Sequence, residues 1–215
     1  RPLAKIAARV MAGKTLKKLG VTHEIVPTHQ SVKESVFPFI KFPGVDTILG
    51  PEMRSTGEVM GWDRTFPLAF LKAEMGAGTH LPEAGRVFIS IKDADKTPEM
   101  AAAARDLVSL GFEIVATRGT AAFLAAHGVE AETVNKVYEG RQEGKLHIVD
   151  RLKNGEIALL FNTTEGSQAI DDSRSIRAVA LHDKIAYFTT AAGAIAAVQA
   201  MKARSEGIGV RTLQG

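Results

Sequence analysis

The chain contains no cysteine among its 215 residues. That absence excludes disulfides, thiolate zinc sites and cysteine nucleophiles together, and it fits a cytoplasmic address. Aromatic residues that stack well on bases are scarce, with two Tyr and one Trp, so nucleic-acid binding has little to work with. No apolar run approaches the roughly 18–20 residues that span a bilayer, and no signal-peptide pattern opens the chain, so no membrane partner is expected. A P-loop and a GxGxxG turn are both absent, which disfavours an ordinary NTPase or dinucleotide enzyme. The six histidines (His23, His29, His80, His127, His147 and His182) form no HExxH and no paired-ligand spacing, so no metal site is expected. An initiator Met is missing too. The chain starts at Arg1-Pro2, and the expectation is a fragment or a processed product.

What is present is ordinary for a soluble globular protein: 45% apolar and 24% charged residues, with a formal charge of +3. A pI near 9.2 raises the question of a polyanionic partner. The charge is spread thinly, however, with net +4 over residues 1–80 and net −1 over residues 81–215. That is no polybasic tract, and no nucleic-acid partner is expected.

The pattern changes near residue 80. Before it, residues 2–12 are helical by their apolar spacing, 31–37 read as a strand, and Pro43 to Gly61 is rich in turn formers. A helix over about 64–75 follows, and Gly76-Ala77-Gly78-Thr79 reads as a linker. From residue 84 onward strands and helices alternate. Strands are predicted at 87–91, 112–116, 132–137, 157–162 and 185–188, and helices at 97–110, 119–127, 147–154, 166–180 and 191–204. This spacing implies βαβ units and a parallel sheet covered on both faces, an α/β fold. The division is then residues 1–80, the trailing edge of a larger domain, and residues 84–215, an α/β domain.

Ligands of such sheets sit beyond the carboxyl ends of the strands. In order, those ends carry Ser90 and the run from Lys92 to Lys96; Thr117-Arg118-Gly119-Thr120; Asn135-Lys136; and Asn162-Thr163-Thr164-Glu165-Gly166. Two of them lead into helices. Hydroxyls, amides, lysines and free helix N-termini together are what a phosphate monoester requires, since its oxygens accept several donors at once. Asp172 can accept from a ribose or base donor. Taken singly, each of these residues also has a structural reading: a Ser or Thr before a helix caps it, and a lone lysine is a solvated charge. Asp171-Asp172 reads equally as a solvated pair at a helix start, and His147 as a hydrogen-bonded structural residue. No catalytic constellation is visible.

Longer stretches carry a resemblance. GRVFISIKDADK, GFEIVATRGTAAFLAAHGV, VNKVYEGR, HIVDRLKNGEIALLFNTTEG, AIDDSRSIRAVAL and YFTTAAGAIAAVQAM are similar to the C-terminal regulatory domain of the carbamoyl-phosphate synthase large subunit, which shares its fold with methylglyoxal synthase. Upstream, PLAKIAARVMAGKTL, SVKESVFPFIKFPGVDTILGPEMRSTGEVMG and RTFPLAFLKAEMG resemble the end of the second ATP-grasp synthetase domain of the same subunit. The resemblance implies a doubly wound, methylglyoxal-synthase-like domain preceded by an ATP-grasp remnant. It also implies nucleotide monophosphate effectors, UMP and IMP, held at Ser90, Lys96, Thr117, Gly119, Thr120, Lys136, Asn162, Thr163, Thr164 and Asp172. An ornithine-type effector is implied near Glu34, Leu49, Tyr187 and Thr189, with further acidic ligands before Arg1.

Implied partners are the rest of the large subunit and a glutaminase small subunit. ATP and Mg or Mn belong to the parent ligase of pyrimidine and arginine biosynthesis, with no cofactor and no catalytic residue in this stretch. Two departures stand out. EGRQEGKLHIVD replaces the family's EGRPHIxD, and Arg118 stands where His is frequent, adding a cation beside the expected phosphate. The rival readings are a methylglyoxal synthase acting on dihydroxyacetone phosphate and, lower, an IMP cyclohydrolase. The first requires a carboxylate base, and the catalytic stretch of that enzyme is not visible after Asn135. The second lacks its long partner domain.

Overall fold

Runs such as Val87-Phe88-Ile89 leave no polar face, so both sides of the strand must be covered. The computed structural model, which describes residues 1–37, 57–135, 147–165, 173–210 and 212, shows how this is done. Five strands form one parallel sheet: β3 (Arg86–Ser90), β4 (Glu113–Thr117), β5 (Glu132–Val134), β6 (Leu159–Asn162) and β7 (Ala186–Phe188), in the order β5-β4-β3-β6-β7. The chain winds outward from β3 in one direction and then returns to its other side. The strand order therefore switches between β3 and β6, where the doubly wound fold leaves a crevice.

Alternate residues divide the core into two. Val87 and Ile89 of β3, Ile114 and Ala116 of β4, and Leu159 and Phe161 of β6 face one layer. That layer contains α2 (Phe66–Ala77), α3 (Pro98–Ser109), α4 (Arg118–Ala126) and α7 (Ala191–Ala203), through Leu71, Met100, Leu107, Leu124, Ala197 and Met201 among others. Phe88, Val115 and Leu160 face the opposite layer, made by α5 (Ile148–Lys153) and α6 (Arg174–His182) through Ile148, Leu152 and Ile176. Full burial of one such side chain stabilises by about 1.5–3 kcal/mol. Local chemistry sets the helix starts. The Thr97 hydroxyl accepts from Met100 N–H ahead of Pro98, and the Thr190 hydroxyl accepts from Gly193 N–H.

The first eighty residues hold α1 (Leu3–Met11), which buries none of its side chains, and an antiparallel pair, β1 (Gln30–Val36) with β2 (Gly57–Asp63). Two expectations are corrected here. Residues 57–61, expected within a turn-rich run, form part of β2, whose Gly61 serves packing. A Cβ on Gly61 would lie 2.1 Å from Ala69 O and 2.4 Å from Ala73 N, so α2 crosses this strand in direct backbone contact. Of the linker expected at 76–79, Gly76 and Ala77 belong to the last turn of α2 and Gly78 caps it. Gly76 lies against Val59, and the helix stops at Gly78, whose φ of 84° ends it in the left-handed region. Leu71 and Leu81 also enter the same apolar cluster as β3 and α7. Among the described residues no helix is long and apolar enough to cross a membrane.

Candidate functional site

A cavity of about 400 Å³ opens at the carboxyl ends of β3, β4 and β6, at the switch in strand order. Its volume falls in the range of small-molecule sites, roughly 300–1,000 Å³. Ser90, Lys96, Thr117, Gly119, Thr120, Asn162, Thr163 and Thr164, all expected at the rim, line it together. Lys136 and Asp172 lie outside the described residues, as do Asp171 and the 141–146 insertion.

The hydroxyls are arranged by the strand that ends between them. Ile91 N–H donates to Thr120 Oγ1 (3.1 Å) and Lys92 N–H donates to Thr163 Oγ1 (3.0 Å), while Thr163 N–H donates back to Ser90 O (3.0 Å). The segment after β3 is thus held from α4 on one side and from the end of β6 on the other. Thr117 was read as either a cap or a ligand group. Its hydroxyl makes no capping hydrogen bond and lies 3.3 Å from Ser90 Oγ and 3.2 Å from Thr120 Oγ1. Thr117, Thr120, Asn162 and Thr163 are all buried. A threonine oxygen that accepts from a backbone N–H still has its own proton to donate, so Thr120 and Thr163 can each offer an O–H to an anion.

Two further features favour negative charge. Gly119 is in the first turn of α4, whose free N–H groups carry the positive end of the helix dipole. A Cβ there would lie 3.4 Å from Lys96 Nζ, so the ammonium sits beside that helix start. Lys96 Nζ also pairs with Asp93 Oδ1 at 2.6 Å, although the Asp93 side chain is 95% exposed. Solvent screens that pair, and an incoming dianion competes with it for the lysine.

Several placements differ from expectation. Arg118 does not line this cavity. It is exposed on the far side of α4 with Ala121, Ala122 and Ala125, because one residue along a helix turns the side chain by about 100°. His147 is instead the hydrogen-bonded structural residue expected of it: it caps α5, accepting from Asp150 N–H at 3.4 Å. The sequence reading missed the apolar wall of Phe88, Ile148 and Ile176, and buried Ser173. Phe88 was legible as the alternate position of β3, but the approach of α5 and α6 was not.

A second cavity, of about 650 Å³, lies beside β7 and is lined by Glu34, Tyr187 and Thr189; Leu49 is outside the described residues. It also includes Glu74, a buried carboxylate that sequence reasoning passed over; the signal was a charge on the inward side of α2. Burial and the neighbouring charge of Glu34 push Glu74 up to about 7, and burial also raises Glu34. Among the described residues two hydrogen bonds join the linings of the two cavities: Asn162 Nδ2 donates to Tyr187 Oη at 3.2 Å, and Arg177 Nη1 donates to Ser173 Oγ at 2.6 Å. Among the described residues no three His, Asp or Glu side chains are grouped to hold a metal.

Residues 99–189 match the family model of the MGS-like domain. The central strand β3 precedes that segment and α7 follows it, so the sheet domain is larger than the matched stretch. The chain is 59% identical over 93% of its length to the carbamoyl phosphate synthase large chain of Pseudomonas putida. It is 56% identical over 90% to that of Pasteurella multocida, and 50% identical over its whole length to that of Mesorhizobium japonicum. It spans 18% of the length of each of these relatives.

Proposed function

We propose, from the premise that this chain carries an MGS-like domain and is a relative of carbamoyl phosphate synthase large chains, that it is the effector-binding portion of such a large chain. In this reading the cavity at the strand switch takes a nucleoside monophosphate, UMP or IMP, and the second cavity takes ornithine. The carrying observation is the convergence of Lys96, the start of α4 and the threonine hydroxyls on one cavity. Lys96 supplies charge, Thr120 and Thr163 donate hydroxyl protons to phosphate oxygens, and the Gly119 backbone admits close approach. Lys136 and Asp172 are proposed to complete the phosphate and ribose contacts. In the second cavity Glu34 receives an ammonium group, with Tyr187, Thr189 and Leu49 beside it.

The parent activity in this reading is a glutamine-using ligase that makes carbamoyl phosphate with ATP and Mg or Mn. The remaining large chain and a glutaminase subunit are its partners. No residue of the present chain is assigned to that ATP-dependent chemistry. An alternative lyase acting on dihydroxyacetone phosphate needs a shielded carboxylate beside the phosphate. Among the described residues the carboxylates lining the first cavity, Asp93 and Glu165, are both exposed, which favours the effector reading.

Calorimetric titration of UMP and IMP into the whole chain tests the assignment. Lys96→Ala is expected to weaken binding by about 10- to 100-fold, since a charge-assisted contact contributes about 1.5–3 kcal/mol. No heat at millimolar nucleotide, or unchanged affinity in the variant, would overturn it. Methylglyoxal formed from dihydroxyacetone phosphate would establish the lyase instead.

A further inference from the structure

Two carboxylates face one cavity, and among the described residues neither is ion-paired. Glu34 comes from β1 and Glu74 from the inward side of α2, and both line the space beside β7. Glu74 is only 6% exposed and shares a hydrogen bond with the Thr79 side chain; Glu34 has a backbone hydrogen bond at Ser35. Among the described residues neither forms an ion pair, although eight Lys or Arg pairs join other side chains. Among the described residues the other titratable groups lining the cavity are Arg177 and Lys184 of α6 and its C-terminal turn, His80 after α2, and Tyr187 of β7. Arg177 is buried against Ser173 Oγ at 2.6 Å, and Lys184 and His80 are exposed.

Burial, reinforced by the neighbouring charge of Glu34, makes the inner acid hold its proton into the neutral range. A cation entering the cavity reverses that balance. We infer that Glu74 is a second ligand carboxylate of this cavity: it receives an ammonium group of a small cationic amino acid, whose charge replaces the proton that Glu74 otherwise carries. The step balances as the neutral acid plus the ligand ammonium giving a carboxylate–ammonium pair, with one proton released to solvent. It rests on the reading of this cavity as an ornithine-type site and adds to it a residue and a proton linkage. Glu34, the more accessible of the two, meets the ligand first; Glu74 sets how its affinity varies with pH.

The test is titration of L-ornithine into the whole chain at pH 7, in PIPES and in Tris, whose ionisation enthalpies differ. With a midpoint of about 7, binding releases about half a proton per ligand, and affinity rises about tenfold from pH 6 to pH 8. Glu74→Gln abolishes both the release and the pH dependence, whereas His80→Gln leaves both in place. No proton release in the unaltered chain, release that survives Glu74→Gln, or release lost in His80→Gln would overturn the inference while the cationic site stands. Absence of any ornithine binding, or affinity untouched by Glu34→Gln, would overturn the site reading itself and this inference with it.

Discussion

Thr120 holds the molecule together and faces its proposed ligand. Its oxygen accepts from Ile91 N–H inside the protein, at 1% exposure, so removing it leaves a buried donor without an acceptor. Thr120→Val, nearly the same shape, is expected to lower unfolding free energy by about 1–3 kcal/mol, read from the urea midpoint. Glu74 predicts a pH effect on stability. Its folded value of about 7 lies above the usual 4.5, so the native state binds the proton more tightly than the unfolded chain. The stabilisation is therefore complete below about pH 4.5 and lost as pH rises through 7. With solvent screening the loss is on the order of 1–2 kcal/mol. Glu74→Gln is expected to flatten that slope and to raise the thermal midpoint at pH 8; an unchanged slope would contradict the assignment. Thr117, Asn162 and Lys96 were all legible as rim residues because strand ends are readable from apolar runs. Glu74 left only a charge on the inward side of α2 as a signal, because its burial and its approach to Glu34, forty residues earlier, are set by packing.

At the scale of elements, the hairpin and α2 depend on one missing side chain. Gly61 reads as a turn former, yet it lets the α2 backbone cross β2. Gly61→Ala would press a methyl against Ala69 O and Ala73 N, both rigid backbone atoms, and is expected to cost more than about 3 kcal/mol. Limited proteolysis should then cut first within residues 57–63, while the parallel sheet stays protected; equal resistance to the unaltered chain would refute this. Most strands and helices after residue 84 were legible within a few residues, helped by caps and glycine stops such as Thr97 and Gly111. Of the helix expected over 166–180, residues 166–172 lie outside the described residues and 174–180 fall in α6, Arg174–His182. Strand β2 was not legible, because its partner β1 is more than twenty residues away and its glycines look like breakers.

For the whole molecule, the two cavities are joined by the Asn162–Tyr187 hydrogen bond, across the neighbouring strands β6 and β7, and by the Arg177–Ser173 hydrogen bond of α6. Occupancy of one cavity is therefore expected to change affinity in the other. Linkage requires the same factor in both directions, typically about 5- to 150-fold. Tyr187→Phe, which removes only the hydroxyl, should bring that factor toward one when UMP is titrated with and without ornithine; an undiminished factor would place the coupling elsewhere. The amino-acid sequence by itself determined the α/β class, the strand and helix order after residue 84 and the polar character of the strand ends, because these follow from local periodicity and turn chemistry. Only the tertiary structure decided that eight of those rim residues share one cavity and that Arg118 turns away from it. Only it placed Glu74 against Glu34 and α2 on Gly61. These outcomes depend on which elements pack together across the sheet, and packing joins residues that periodicity along the chain cannot relate.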